Sequence, residues 1–197
     1  MRYACIAVLL ISLGMMSCRS KPASPPVSAK DTAGFYPLHQ YFEEQIRYVD
    51  LRDFSILSVR TADKQKDSGQ ITKEAFAALA RPFLQKDITQ PAVKAGYRET
   101  VFQDLSTGSI TLHYQPQDNP AAEIQSIDIL LDPDTRFVKR VLIRSGFTSG
   151  DTLVTEHSSW KTDKSFQITR SYLLKNAPVK ETSITVSWKK KESGNDQ

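Results

Sequence analysis

Cysteine is nearly absent: Cys5 and Cys18 are the only two in 197 residues, so no disulfide framework is available to the chain beyond residue 18. Histidine is almost as scarce. His39, His113 and His157 fall into no H-x-x-x-H or similar spacing, so no zinc motif is present and no metal is expected. The eight glycines form neither G-x-G-x-x-G nor a Walker pattern, which removes the usual cradle for a nucleotide phosphate, and no cofactor is expected. A G-x-S-x-G elbow is lacking, so a Ser/His/Asp site has no anchor in the chain. No apolar run reaches the roughly 20 residues that cross a bilayer as a helix. With 40% hydrophobic and 24% charged residues, the composition is that of one globular domain with short tails.

The longest apolar stretch lies at the start. Arg2 precedes Ala4 to Met16, 13 residues long, which is the length of a signal-peptide h-region. Met15-Met16-Ser17-Cys18 follows, with the cysteine directly after a small residue. This resembles the lipobox of bacterial lipoproteins, although Met15 stands where that family usually has leucine and Met16 where it has a small residue. The resemblance implies a signal peptide over residues 1–17, removed on export, and a lipid on the sulfur of Cys18. Cys5 would leave with the signal, so the mature chain would carry one thiol, and that one modified. The competing reading is a conventional signal cut near Ala23. Arg19 in place of an aspartate after Cys18 implies, by the same resemblance, the outer membrane of a Gram-negative bacterium. Residues 18–34 then form a Pro- and Ser-rich linker, residues 35–190 a single domain and residues 191–197 a polar tail. Acyl chains on Cys18 would hold the protein at the membrane.

Within the domain, Phe35, Leu38, Phe42, Ile46 and Val49 recur at spacings of 3, 4, 4 and 3, which predicts an amphipathic helix over Pro37 to Asp50. A strand is expected at Phe54 to Val59 and a polar loop at Ala62 to Gly69. Thr72 suits an N-cap, and Ile71 and Phe76 suit a hydrophobic staple, so a second helix starts there. Pro82 is expected to end or kink it near Ala80 and Arg81, and Gln85 to Gly96 reads as loop. From Tyr97 onward the period becomes two, as in Ile110, Leu112 and Tyr114 or Thr182, Ile184, Val186 and Trp188, which marks half-buried strands. The expected fold is therefore α+β: two amphipathic N-terminal helices packed on a curved antiparallel β-meander of about seven to eight strands. A closed barrel with the helices outside or at one end is the alternative.

Charge is uneven along the chain. Arg136 to Lys191 holds twelve Lys or Arg against four acids, a net +8, while Lys21 to Thr135 carries −4. A solvated sheet face accounts for this; attraction to an anionic lipid, an acidic glycan or an envelope protein would use it, with Lys139, Arg140 and Arg144 as candidate contacts. Nucleic acid is not an expected partner at such an address. Tyr114, Phe166, Tyr172 and Trp188 fall on the apolar parity of their strands, so they are either plain core or the lining of an apolar ligand cavity. Asp128, Asp132 and Asp134 cluster at a turn, and ordinary Asx-turn chemistry explains them better than calcium.

Location and the lack of a catalytic pattern together point to a membrane-anchored, non-enzymatic binding or accessory module. A lipid or lipoprotein carrier is the second reading, since helices over a curved antiparallel sheet on a lipid anchor look like the general plan of the periplasmic lipoprotein-localisation factors. That likeness is one of architecture alone. An envelope-glycan hydrolase of unrecognised type is the third. Oligomeric state has no signal in the sequence.

Overall fold

The structure is a computed structural model that describes residues 34–63, 65–104, 106, 108–175 and 177–191; the lipobox, Cys18 and the linker up to Ala33 lie outside the described residues. Helix α1 (Leu38–Asp50) buries Leu38, Tyr41, Phe42, Gln45 and Val49, which recur at the 3-to-4-residue spacing of a single helical face. Strands β1 (Phe54–Ala62) and β2 (Gln65–Gln70) follow, then α2 (Lys73–Leu84) and one turn of helix, α3 (Pro91–Lys94). Seven strands complete the chain: β3 (Tyr97–Asp104), β4 (Ser109–Pro116), β5 (Ile124–Leu131), β6 (Val138–Ser149), β7 (Thr152–Lys161), β8 (Ser165–Leu174) and β9 (Lys180–Lys190).

All nine strands form one antiparallel sheet in the order β2-β1-β9-β8-β7-β6-β5-β4-β3. This corrects the expectation of two helices on a seven- to eight-stranded meander. The sheet dominates, it has nine strands, and its order is not the chain order throughout. The β1–β2 hairpin docks beside β9, with Ile56 opposite Trp188 and Ala62 opposite Thr182. Strand β2 was expected to be loop, and the reason is physical. All six of its residues are exposed, because an edge strand wet on both faces has no apolar row to show a period of two. Asp63 closes the hairpin with φ 48°, a backbone state that aspartate tolerates better than most residues.

Thr72 caps α2 as expected, its Oγ1 accepting from the Ala75 amide at 3.2 Å. The helix does not stop before Pro82 but runs on to Leu84. An interior proline costs about 3 kcal/mol. Phe83, just past it, is 1% exposed and stands 5.1 Å from the Phe42 ring and 5.0 Å from Trp160. Burying such a side chain is worth about 1.5–3 kcal/mol, and ring contacts add to that, enough to hold the last turn. Likewise α3 interrupts the loop expected over Gln85 to Gly96, with Pro91 in the first helical turn where its missing N–H costs nothing.

Helices α1 and α2 cover one face of the sheet, here the inner face. Trp160, fully buried near the C-terminal end of β7, stacks on Phe166 of β8 at 5.1 Å and lies 5.8 Å from Trp188 of β9. Phe42, Phe76 and Phe83 descend on this group from the two helices. A polar clamp fixes α1 over it. Gln45 Oε1 accepts from Trp160 Nε1 at 3.2 Å and from the Asp163 amide at 3.0 Å, and Gln45 Nε2 donates to Asp163 Oδ1 at 3.2 Å. Tyr41 adds a 2.8 Å hydroxyl contact with Thr162. Gln45→Ala leaves a buried indole N–H without its acceptor, and such a loss costs about 1–3 kcal/mol. Urea unfolding should show a fall of about 2 kcal/mol; a fall under about 0.5 kcal/mol would mean that water replaces the amide at no cost.

Candidate functional site

The inner parity of β7 reads Val154, Glu156, Ser158, Trp160, and that of β8 reads Phe166, Ile168, Arg170, Tyr172. Each apolar row is thus broken by a charge, negative on one strand and positive on the next. A short turn joins the two strands, with Trp160 opposite Phe166, and this register sets Glu156 directly opposite Arg170. Arg170 Nε donates to Glu156 Oε2 at 2.7 Å, and Ser158 Oγ donates to Oε1 at 3.0 Å. On the other flank β6 puts Ser145 opposite Glu156. Lys86, from the segment after α2, enters between them: its Nζ donates to Ser145 Oγ at 3.1 Å and to Glu123 Oε1 at 2.9 Å, and lies 3.9 Å from Glu156 Oε1.

Glu156 is 3% exposed and Lys86 7%. Isolated charges at such depth cost several kcal/mol each, and only pairing with full hydrogen bonding offsets that. The network meets this condition. Two cations face two carboxylates, and each of the six side chains has a partner. Burial alone would lower the Arg170 pKa. The Glu156 hydrogen bond and charge, with Tyr172 alongside, outweigh it and raise the pKa. The network reaches solvent at Glu123, its side chain 62% exposed, and at Arg170, 39% exposed; Arg170 borders an open cleft of about 280 Å³ that Arg60, Leu79, Ile168, Thr182 and Ile184 also line. The arrangement is suited to presenting a fixed guanidinium to a ligand at the rim of the inner face.

The four aromatic residues with a ligand-lining alternative do not share one cavity. Tyr114, Phe166 and Trp188 are 1%, 1% and 6% exposed and packed into the core. Tyr114 accepts from the Tyr36 amide at 3.0 Å, and its pKa is raised by burial first and the nearby Glu99 second. Tyr172 is half-buried, next to Arg170 at the rim. Lys139, Arg140 and Arg144 are all exposed on β6. Lys139 sits at an irregularity, since Leu130 pairs with Arg140 and Leu131 with Val138. Arg140 and Arg144 point away from the helices, four residues or about 13 Å apart along the strand, opposite Lys161 and His157 respectively. Like charges directly opposite weaken a strand pair, so the Arg140–Lys161 pair is a local concentration of positive charge that the sequence reading did not locate.

The histidines are separate from one another. His39 contacts the Leu84 carbonyl at 3.0 Å and Glu43 at 3.3 Å, whereas His113 meets Asp128 across β4 and β5 at 2.6 Å. Among the described residues no three His, Cys, Asp or Glu side chains come together as a metal site would need. Asp132 is engaged as a turn residue, its Oδ1 accepting from the amides of Asp134 and Thr135 and from the Thr135 hydroxyl. These contacts, the Thr135 amide foremost, hold its pKa below the usual carboxylate value.

Glu156 and Gln45 were legible and unread. Glu156 shares its parity with Val154 and Trp160, and Gln45 lies three or four residues from Phe42 and Val49 on one helical stripe. Lys86 carried no such signal, because it belongs to an irregular segment between α2 and α3. Comparison with family models, curated proteins and solved structures finds no match for this chain.

Proposed function

We propose that this chain is a membrane-tethered, non-enzymatic binding module that engages its ligand at the rim of the inner face, by way of Arg170. The observation that carries the reading is the contrast between centre and rim. Between helices and sheet the space is occupied by Trp160, Phe166, Phe42, Phe76 and Phe83, with ring centroids 5.0–5.7 Å apart for the pairs Phe83–Trp160 and Phe76–Phe166, a spacing of direct contact. Packing of that kind favours a module over a carrier, which needs room for an acyl chain there. At the rim, by contrast, a buried carboxylate holds one guanidinium in place beside open space. Preorganisation of this sort lowers the cost of ordering a side chain on binding.

The tether rests on the resemblance of Met15-Met16-Ser17-Cys18 to a lipobox, with the outer membrane as its proposed address and an envelope protein, anionic lipid or glycan as the proposed class of partner. Native mass spectrometry of the full chain, extracted from membranes in non-ionic detergent, tests both halves. The expected species is a chain that begins at a lipidated Cys18 and carries no further extractable lipid, with membrane attachment lost in Cys18→Ala. Recovery of the wild-type chain unlipidated and in the soluble fraction would overturn the tether. A reproducible second lipid, removed only by solvent extraction, would replace the module with the carrier.

A further inference from the structure

The cleft beside Arg170 carries a second arginine, Arg60, and strand register places both on the same face. Arg60 of β1 lies opposite Ile184 of β9, and Ile184 lies opposite Ile168 of β8. One step further along the sheet, Thr182 of β9 lies opposite Arg170. The two arginines therefore occupy the strands on either side of β9, on the face shared by Ile168 and Ile184, and offset by one two-residue step. Strand spacing and rise put their Cα atoms about 12 Å apart, a gap that two extended arginine stems close from opposite sides. Between them Ile168 and Ile184 of the sheet, Leu79 of α2 and Thr182 line the cleft.

We propose that this cleft binds an oxyanion head on a short apolar stem, gripped between Arg60 and Arg170 with the stem on Leu79, Ile168 and Ile184. The inference rests on the binding-module reading and gives that module a ligand class. Arg170 commits its Nε to Glu156, and a guanidinium has further N–H donors, in a fixed fork that matches carboxylate and phosphate oxygens. Glu156 does not repel the incoming anion with a whole charge, because Lys86 and Arg170 flank it. Arg60 makes no ion pair among the described residues, although Asp67 of β2 stands directly opposite it in register. Size sets the limit on the stem. About 280 Å³ lies just below the 300–1,000 Å³ typical of drug-sized sites, so the cleft takes a head group and a few carbons and not a whole lipid tail.

Isothermal titration of the full chain in non-ionic detergent, with hexyl phosphate as the probe, tests this. One hexyl phosphate per chain is expected, with inorganic phosphate and hexanol each at least about tenfold weaker, since each lacks one half of the recognition. Arg60→Gln should weaken hexyl phosphate by about tenfold or more with the unfolding midpoint unchanged, and Arg60→Lys should fall between, a point charge in place of a fork. Equal binding by wild type and Arg60→Gln, equal binding of hexanol, or no binding of hexyl phosphate would each overturn the proposal. Displacement of the probe by dihexanoyl phosphatidic acid would identify the source of the anion as a lipid head group; a lack of displacement would identify a free alkyl phosphate or carboxylate. The module reading fails on a different result, a co-purifying extractable lipid that Arg60→Gln retains.

Discussion

Trp160→Ala is expected to destabilise the fold by about 3–5 kcal/mol, the range for truncating a buried tryptophan or phenylalanine. Four features place it in the upper part of that range. The side chain is fully buried, so all of its transfer free energy is lost. It is the hub of the aromatic group, in contact with rings from α1, α2, β8 and β9, so the cavity cannot collapse from one side alone. Its indole also anchors Gln45 and with it α1. And its strand neighbours Phe166 and Val141 are themselves buried and fixed by the sheet register. Total stability of a domain this size is about 5–15 kcal/mol, so the variant should unfold at far lower urea, with the near-ultraviolet dichroism of the core reduced before the melt. Trp188→Ala is the internal comparison. Trp188 is 6% exposed and its Nε1 has no partner among the described residues, so its replacement removes ring contacts but no hydrogen bond seen there, and the loss should be smaller. Equal losses for the two would show that the aromatic group has no central member and that the Gln45 clamp is unimportant.

The elements that the sequence states plainly are those whose signal is local. Thr72 caps α2 through its own hydroxyl, and Leu38, Phe42 and Val49 trace α1 within a few turns. The alternation in β5, β8 and β9 reports burial on one face, and tight turns at Gly150 and Asp163, both at positive φ, set the registers of β6 with β7 and of β7 with β8. Glu156 opposite Arg170 follows from such a turn by counting. The pairing of β1 with β9 does not, because it joins Phe54–Ala62 to residues more than a hundred positions away, and nothing local in either strand names the other. That single long-range contact also builds the cleft, since Arg60 and Arg170 meet only when β9 lies between β1 and β8. Strand β2 was hidden for the opposite reason: it is local but has no buried face. The expected end of α2 near Ala80 and Arg81 erred through competition between terms of similar size. The backbone penalty of Pro82 argues for a stop, and burial of Phe83 outweighs it.

Glu156→Ala is the substitution with the greatest expected electrostatic effect. Removing one partner of a buried ion pair costs about 3–5 kcal/mol, because the other charge stays desolvated. Here Lys86 and Arg170 both lose their shared carboxylate, and Ser158 loses its acceptor. Two features pull the figure toward the low end: Lys86 keeps Glu123, and the Arg170 side chain is 39% exposed, so water recovers part of its solvation. About 3 kcal/mol by urea unfolding is the expected loss. The double variant Glu156→Leu/Arg170→Leu separates charge from shape. Apolar residues of similar volume often replace a buried pair at little cost, and Val154, Ile168 and Tyr172 already supply apolar neighbours on the same face, so the double variant should recover most of what Glu156→Ala loses. It should also lose hexyl phosphate, having given up the fixed guanidinium while keeping the fold. A domain that is as stable as wild type yet no longer binds the anion would assign the network to ligand recognition, at the expense of stability. If instead the double variant falls as far as Glu156→Ala, the network is a structural fixture, and the rim of the inner face loses its claim as the binding site.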